Sequence, residues 1–312
     1  MTGTLNLYSS SIPVAILILN KNKHEHRKNG IFFINAEEEF NQFRTVKKLG
    51  ESHIRKITET FKTSKEIDRF SKWVPLTNIK DHSLLLQTYF KEDRIETLIG
   101  KVQVNEEVYE QMETIQLQDA GNIIRGMNTP PANQMEDVET THLMVELSNV
   151  QDGKVFIDDL TPIAVKDDIN TDRYELKEGD IILSSRGTAI KIAVVSKANK
   201  QPLLLSNHFI RIRPNPNTNP YYLKGFLESP IGMFYLINSQ KGSTVTVLTA
   251  KDIQDIPVPN VPYNLQAEIA EGFIESNEAY IKRMQKAEEI HHQEYARLYN
   301  EMGLKSTYEK MD

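Results

Sequence analysis

From Leu265 to Met302 the chain runs without a proline, and no other stretch constrains the fold as much. Apolar or small residues stand at 267, 270, 274, 281, 284, 295, 298 and 302. This three-and-four spacing predicts a single long helix. Asn277, Glu288 and His291 interrupt it, so the apolar seam is imperfect. Gly303 is placed to stop it. Globular helices average about 11–12 residues. One this long is either a packing arm or a seam for a partner chain, and we favour the partner.

Residues 121–264 have a different texture. Short apolar runs such as "NIIR", "HLMVEL", "DIIL", "IKIAVV" and "LLLSNHFIRIR" are separated by Gly, Pro, Asn and Asp. These read as strands and turns, with Asp152-Gly153 as a tight-turn pair and Glu178-Gly179-Asp180 as a second turn. In "HFIRIR" the alternation puts Ile210 and Ile212 on one face and Arg211 and Arg213 on the other. "YYLKGFLESPIGMFYLINSQ" reads as a short helix pair.

Towards the N-terminus, "IPVAILIL" (residues 12–19) reads as a fully buried strand, and "IFFINA" as a second one after a polar connection. The run is too short to span a bilayer. "AEEEFNQF" reads as the start of a helix, and Ile54, Ile57 and Phe61 mark another. Residues 91–120 are acid-rich and read as a helical linker. The expected class is α+β: a strand–helix segment at 1–90, the linker at 91–120, a β-rich domain with a curved sheet at 121–264, and the long helix at 265–303.

The 312 residues suggest roughly two domains. Cysteine is absent, which excludes disulfides and Cys-based zinc and favours a cytoplasmic setting. His24/His26 and His291/His292 lie in charged sequence, and no metal site is expected. Net charge is −6, but residues 181–251 hold nine Lys or Arg against one acid, Glu228. A local charge of +8 inside an acidic chain points to a polyanion more than to a merely solvated surface.

Catalytic motifs do not appear. "SSRGTAIK" has one glycine, where a phosphate-binding P-loop needs two before Lys-Ser/Thr. There is no Gly-x-Ser-x-Gly. The Asp pairs at 158–159 and 167–168 sit beside turn-like sequence and read as loop residues. Two loops are better suited to nucleic acid. "SSRGT" offers Ser185, Arg186 and Thr188; "QKGSTVT" offers Gln240, Lys241, Ser243 and Thr244. Hydroxyls, amides and cations of this kind donate to phosphates, and Arg is a common reader of guanine. The alternative, that both loops are plain turns, does not require a cation at the tip.

In order, "YELKEGDIILSSRGTAIKIAVV", "LSNHFIRIRP", "YYLKGFLESPIGMFYL" and "QKGSTVTVLTAKDIQDIPVPNVPYNLQAEIA" resemble one target recognition domain, and its trailing helix, of a type I restriction–modification specificity subunit, over about residues 115–302. "LYSSSIPVAILILNKNKHEHRKNGIFFINAEEEF" with "LGESHIRKITETF" resembles the C-terminal end of the adenine-N6 DNA methyltransferase subunits of such systems, over about residues 5–90. The Asn/Asp-Pro-Pro-aromatic motif of those enzymes is missing: in "NTPPAN" Thr129 separates Asn128 from the prolines.

The resemblance implies sequence-specific recognition of double-stranded DNA within a restriction–modification system, directing a methyltransferase complex. It implies no enzyme activity in this chain alone, and S-adenosylmethionine in a partner catalytic domain rather than here. A methyltransferase fragment completed by another chain, and a subunit-interaction protein that binds no DNA, remain alternatives. Expected partners are a DNA methyltransferase subunit, with restriction subunits beyond it. A second copy or another specificity half would pair through 265–302. Arg186 is the expected base reader, supported by Ser185, Thr188, Gln240, Ser243 and Thr244. Lys191, Arg211, Arg213, Lys224 and Lys241 are expected on phosphates, with Arg125 and His208 as further contacts.

Overall fold

The computed structural model describes residues 2–3, 14–23, 25–43, 46–79, 82–128, 141–157, 160–165, 171–187, 189–196, 201–241, 246–305 and 307–308. It is a mixed helix-and-strand protein with a long C-terminal helix. Its contacts divide it into two units: residues 1–109, 185–190 and 230–253, and residues 110–184, 191–229 and 254–312. The expected contiguous domain at 121–264 is therefore interleaved, because Ser185–Ile190 and Pro230–Ile253 pack with the first unit.

In the first unit, strands Gly30–Ile34 and Ser71–Pro75 pair antiparallel. Glycine is required at 30 because a Cβ there would meet the Trp73 ring at 2.4 Å. Helix Glu51–Thr63 covers one face, where Ile34, Ala36, Ile57 and Phe70 are buried together. Arg27 donates from one guanidinium nitrogen to the carbonyls of Phe61 and Lys62, satisfying the end of that helix. Phe33, Val74 and Leu86 form the second cluster, with Phe33 stacked on Tyr89 at 4.5 Å.

Three expectations fail in this unit. Among the described residues of the apolar run only Val14–Ala15 form a strand, while Ile16, Leu17, Ile18 and Leu19 are 48–85% exposed. Among the described residues Val14–Ala15 pairs with Thr2–Gly3 in a two-residue ladder, while Gly30–Ile34 pairs with Ser71–Pro75. Residues 37–38 form a turn and Asn41–Phe43 a strand where a helix was expected. The supposed helical linker begins with a hairpin, Arg94–Thr97 against Gly100–Gln103. Helix Pro230–Ser239 packs on this hairpin, and Asn238 clamps the Glu92 backbone by accepting from its N–H (2.7 Å) and donating to its carbonyl (3.0 Å).

The second unit is built on a four-stranded antiparallel sheet in the order Gly121–Arg125, Phe209–Pro214, Ile181–Ser184, Ile192–Val194. A three-stranded sheet places His142–Val145 between Thr161–Ile163, antiparallel, and Leu203–Leu205, parallel. Leu143, Val145, Leu176, Ile182, Ala193, Leu205 and Phe209 share the main core. Both expected turns form: Asp152 and Gly153 have φ of 48° and 71°, and Gly179 has φ of 84°.

Helix Pro220–Glu228 starts with proline, and the Asn219 side chain accepts from the N–H groups of Tyr221 and Tyr222. It packs on the long helix Tyr263–Glu301, where a Cβ on Gly225 would meet the Phe273 ring at 2.3 Å. Gln266 ties the start of the long helix to this unit, accepting from Asn219 N–H and donating to the carbonyls of Asn217 and Val261. A helix of 39 residues is about 58 Å long. Beyond this anchor Tyr280, Met284, Ile290, Tyr295 and Leu298 are 42–58% exposed. Among the described residues no helix is long and apolar enough to cross a membrane.

Candidate nucleic-acid interface

The first unit brings the two predicted loops together. Strand Ile181–Ser184 ends and the chain turns out through Ser185, Arg186 and Gly187. Gly187 has φ of 126°, a conformation that disfavours any side chain. Helix Pro230–Ser239 ends at the second loop, which begins with Gln240 and Lys241. Single β-bridges join Arg186 to Val247 and Lys241 to Val247. Leu248 N–H donates to the Ser185 carbonyl at 2.9 Å, and the Thr246 hydroxyl donates to the Gly187 carbonyl at 3.3 Å. Backbone geometry thus holds the Arg186, Gln240 and Lys241 positions on one small scaffold.

Arg186 is exposed, and no side-chain partner for it occurs among the described residues. Lys241 is ion-paired with Asp252 while its side chain stays 68% exposed. Asp252 also accepts from the backbone N–H and hydroxyl of Thr249, and its own N–H donates back to that hydroxyl. This reciprocal cap starts the short helix Ala250–Ile253. Burial pushes the Asp252 carboxyl up, but the hydrogen bonds from Lys241 and Thr249 and the Lys241 charge outweigh it and hold the carboxyl below its ordinary value.

The second unit presents a separate polar group. Arg125 is exposed at the end of its strand, with Nε donating to the Asn207 carbonyl at 3.3 Å. The Asn207 amide donates to Asn128 Oδ1 at 2.7 Å, and His208 Nδ1 lies 3.2 Å from Glu146 Oε2. Asn207 was not singled out from the sequence, and Asn128 was read there only against the missing Pro-Pro motif. The signal of Asn207 was faint: a short amide in a two-residue turn between strands.

Five expected contacts need correction. Arg211 is 3% exposed; one guanidinium nitrogen donates to the carbonyls of Arg173 (2.9 Å) and Glu175 (3.2 Å), and the other to Asn122 Oδ1 (3.2 Å). Burial, then the neighbouring Arg213 charge, lowers its pKa from the ordinary arginine value. Arg213 grips buried Asp180 with two hydrogen bonds, at 2.7 and 2.8 Å. That bond raises its pKa more than burial lowers it. Lys191 Nζ donates to the carbonyls of Leu147 and Val150, each at 2.8 Å. Lys224 is paired with Glu228, one turn along its helix. All four hold the unit together instead of offering a free cation. Ser185 is 2% exposed, which turns its hydroxyl away from any large ligand. Thr188, Ser243 and Thr244 lie outside the described residues, as do Lys197, Lys200, most of "NTPPAN" and the two Asp pairs.

No group of three or more metal-ligating side chains occurs among the described residues.

A domain model described as type I restriction modification DNA specificity domain matches residues 109–291. A second, described as N-6 DNA Methylase, matches residues 5–97. The chain is 41% identical over 87 residues to the type I restriction enzyme MjaVIII methylase subunit of Methanocaldococcus jannaschii, an alignment taking in 26% of this chain and 15% of that subunit. The chain therefore spans only a small part of this methylase relative. Two solved structures are similar at low identity. One, from work on assembly and conformational transition of the type I R-M system, is 18% identical with a TM-score of 0.42, covering 78% of this chain and 54% of that one. The other, the HsdS subunit from Thermoanaerobacter tengcongensis, is 16% identical with a TM-score of 0.38, covering 76% and 50%. Both scores are low, and the family stands on the specificity-domain match, which spans more than half of the residues. The chain belongs to the type I restriction modification DNA specificity domain family.

Proposed function

We propose that this chain binds double-stranded DNA by sequence and directs a DNA methyltransferase complex of a type I restriction–modification system to its site. The specificity-domain match over residues 109–291 carries the reading. Arg186 and Arg125, exposed within that span, supply the guanidinium donors that base edges and phosphates accept. Lys241, held by Asp252 and still largely exposed, acts as a phosphate contact. Arg186 is the base reader, with Gln240 beside it; Asn207, Asn128 and His208 accompany Arg125. Methyl transfer, with its S-adenosylmethionine, belongs to a partner subunit. A second copy, or another specificity half, pairs through the exposed part of helix Tyr263–Glu301.

Selection from a pool of randomised duplexes tests the reading. The purified chain should enrich a defined short motif at moderate salt. Retention of duplexes without any enriched motif would contradict it. The match of residues 5–97 to N-6 DNA methylases supports a second reading, in which the chain completes a methyltransferase whose catalytic part is another polypeptide. Under that reading, adenine methylation by such a catalytic chain would depend on this one even on DNA that lacks the motif.

A further inference from the structure

Leu98 and Ile99 are among the most exposed large apolar side chains described, at 87% and 76%. They form the two-residue tip of the hairpin whose arms pair Arg94 with Gln103, Ile95 with Val102, Glu96 with Lys101 and Thr97 with Gly100. Tight turns ordinarily carry Gly, Asn, Asp, Ser or Pro, because those residues fit the dihedrals or bond to the backbone. Here Gly100 supplies the needed left-handed conformation, with φ of 98°. The two positions before it are free to be polar and are instead Leu and Ile.

The tip is presented rigidly. The Thr97 hydroxyl donates to the Gly100 carbonyl at 2.9 Å, closing the turn. At the base Val104 N–H donates to the Asp93 carbonyl at 2.7 Å. Ile95 is 4% exposed, and its strand packs on helix Pro230–Ser239. The segment matching the methylase family ends at residue 97 and the specificity-domain match begins at residue 109, so neither match includes this tip.

We propose that Leu98 and Ile99 form a docking finger that inserts into an apolar socket with a cationic rim on the methylase subunit of the same system. An apolar wedge can also enter a DNA base step, but the surroundings disfavour that here. In the same unit as the hairpin, residues 91–109 hold Lys91, Arg94 and Lys101 against five acids, a local charge of −2. Such a base repels phosphates and anionic lipid headgroups alike and attracts a basic protein rim. The inference rests on the proposed function for its partner and adds where that partner binds.

The test uses the full chain with the separately purified methylase subunit, comparing wild type with the double variant Leu98→Asp, Ile99→Asp. Association is measured by light scattering and titration, DNA affinity of the chain alone by anisotropy, and folding by thermal unfolding. The expected result is at least a tenfold loss of methylase affinity, with DNA affinity and unfolding unchanged. Conservative Leu98→Met, Ile99→Val should restore association. Unchanged association overturns the proposal, as does a wild-type chain with no affinity for the subunit. A fall in DNA affinity instead would make the tip a DNA wedge, which also overturns it. Failure of the functional reading would show differently, as a wild-type chain that enriches no DNA motif.

Discussion

At the scale of single residues, four cations of the basic stretch, Lys191, Arg211, Arg213 and Lys224, work as internal fastening. Arg211 and Arg213 project from one strand into the segment that carries Arg173, Glu175 and Asp180, and their guanidinium groups donate to the Arg173 and Glu175 carbonyls. Asp180 is almost fully buried. Arg213→Ala therefore strands a buried carboxylate and should cost about 3–5 kcal/mol of stability in urea unfolding. Below the urea concentrations that unfold it, the salt dependence of DNA binding should stay as in wild type. A changed salt slope without loss of stability would return Arg213 to the phosphate contacts. Strand alternation in "HFIRIR" correctly separated arginines from isoleucines. It could not tell that the arginine face would be covered, because periodicity reports which side chains share a face and not what lies over it. Asp252 gives the pH dependence. Its carboxyl is held below the ordinary 3.8, so the tie to Lys241 is complete above that value and is lost as pH falls through the lower folded one. A carboxyl titration by NMR should give a midpoint below 3.8, with the Lys241–Val247 amides losing exchange protection only below it. A midpoint above 3.8 would contradict the arrangement.

At the scale of elements, local signals succeeded where the element carries its own punctuation. Pro220 and Pro230 open two helices, Asp152-Gly153 turns a hairpin, and Gly303, with φ of 79°, follows the long helix. They failed where the outcome depends on a neighbour. "VAILIL" has every property of a buried strand, yet Ile16–Leu19 are exposed because strand Gly30–Ile34 took Ser71–Pro75 as its partner. Acid-rich 91–104 looked helical but pairs Ile95 with Val102 across a turn. The proximity of the two candidate loops was also hidden, since the bridges of Arg186 and Lys241 to Val247 join segments far apart in the chain. The long helix allows a prediction at this scale. Its apolar residues are covered at Ala270 and exposed at Tyr280 and Met284. Size exclusion with light scattering should show a dimer that Tyr280→Asp with Met284→Asp converts to a monomer with an unchanged unfolding temperature. A wild-type monomer at high concentration would rule out self-pairing through this helix.

For the whole molecule, the charge pattern and the structure together narrow the DNA-facing chemistry. Of the nine cations in residues 181–251, Lys191, Arg211, Arg213 and Lys224 are committed internally. Arg186 and Lys241 remain presented on a scaffold whose backbone is fixed by bridges. Under the proposed function the two residues divide the work: Arg186 would carry discrimination, and Lys241 affinity common to all sequences. The most direct measurement is the ratio of affinities for the selected duplex and a scrambled one, followed across salt concentration for wild type, Arg186→Ala and Lys241→Ala. The account predicts that Arg186→Ala lowers this ratio by about 1–3 kcal/mol in binding free energy. Lys241→Ala should weaken both duplexes alike and reduce the salt slope by about 1. An Arg186→Ala protein that keeps the wild-type ratio would contradict the central claim.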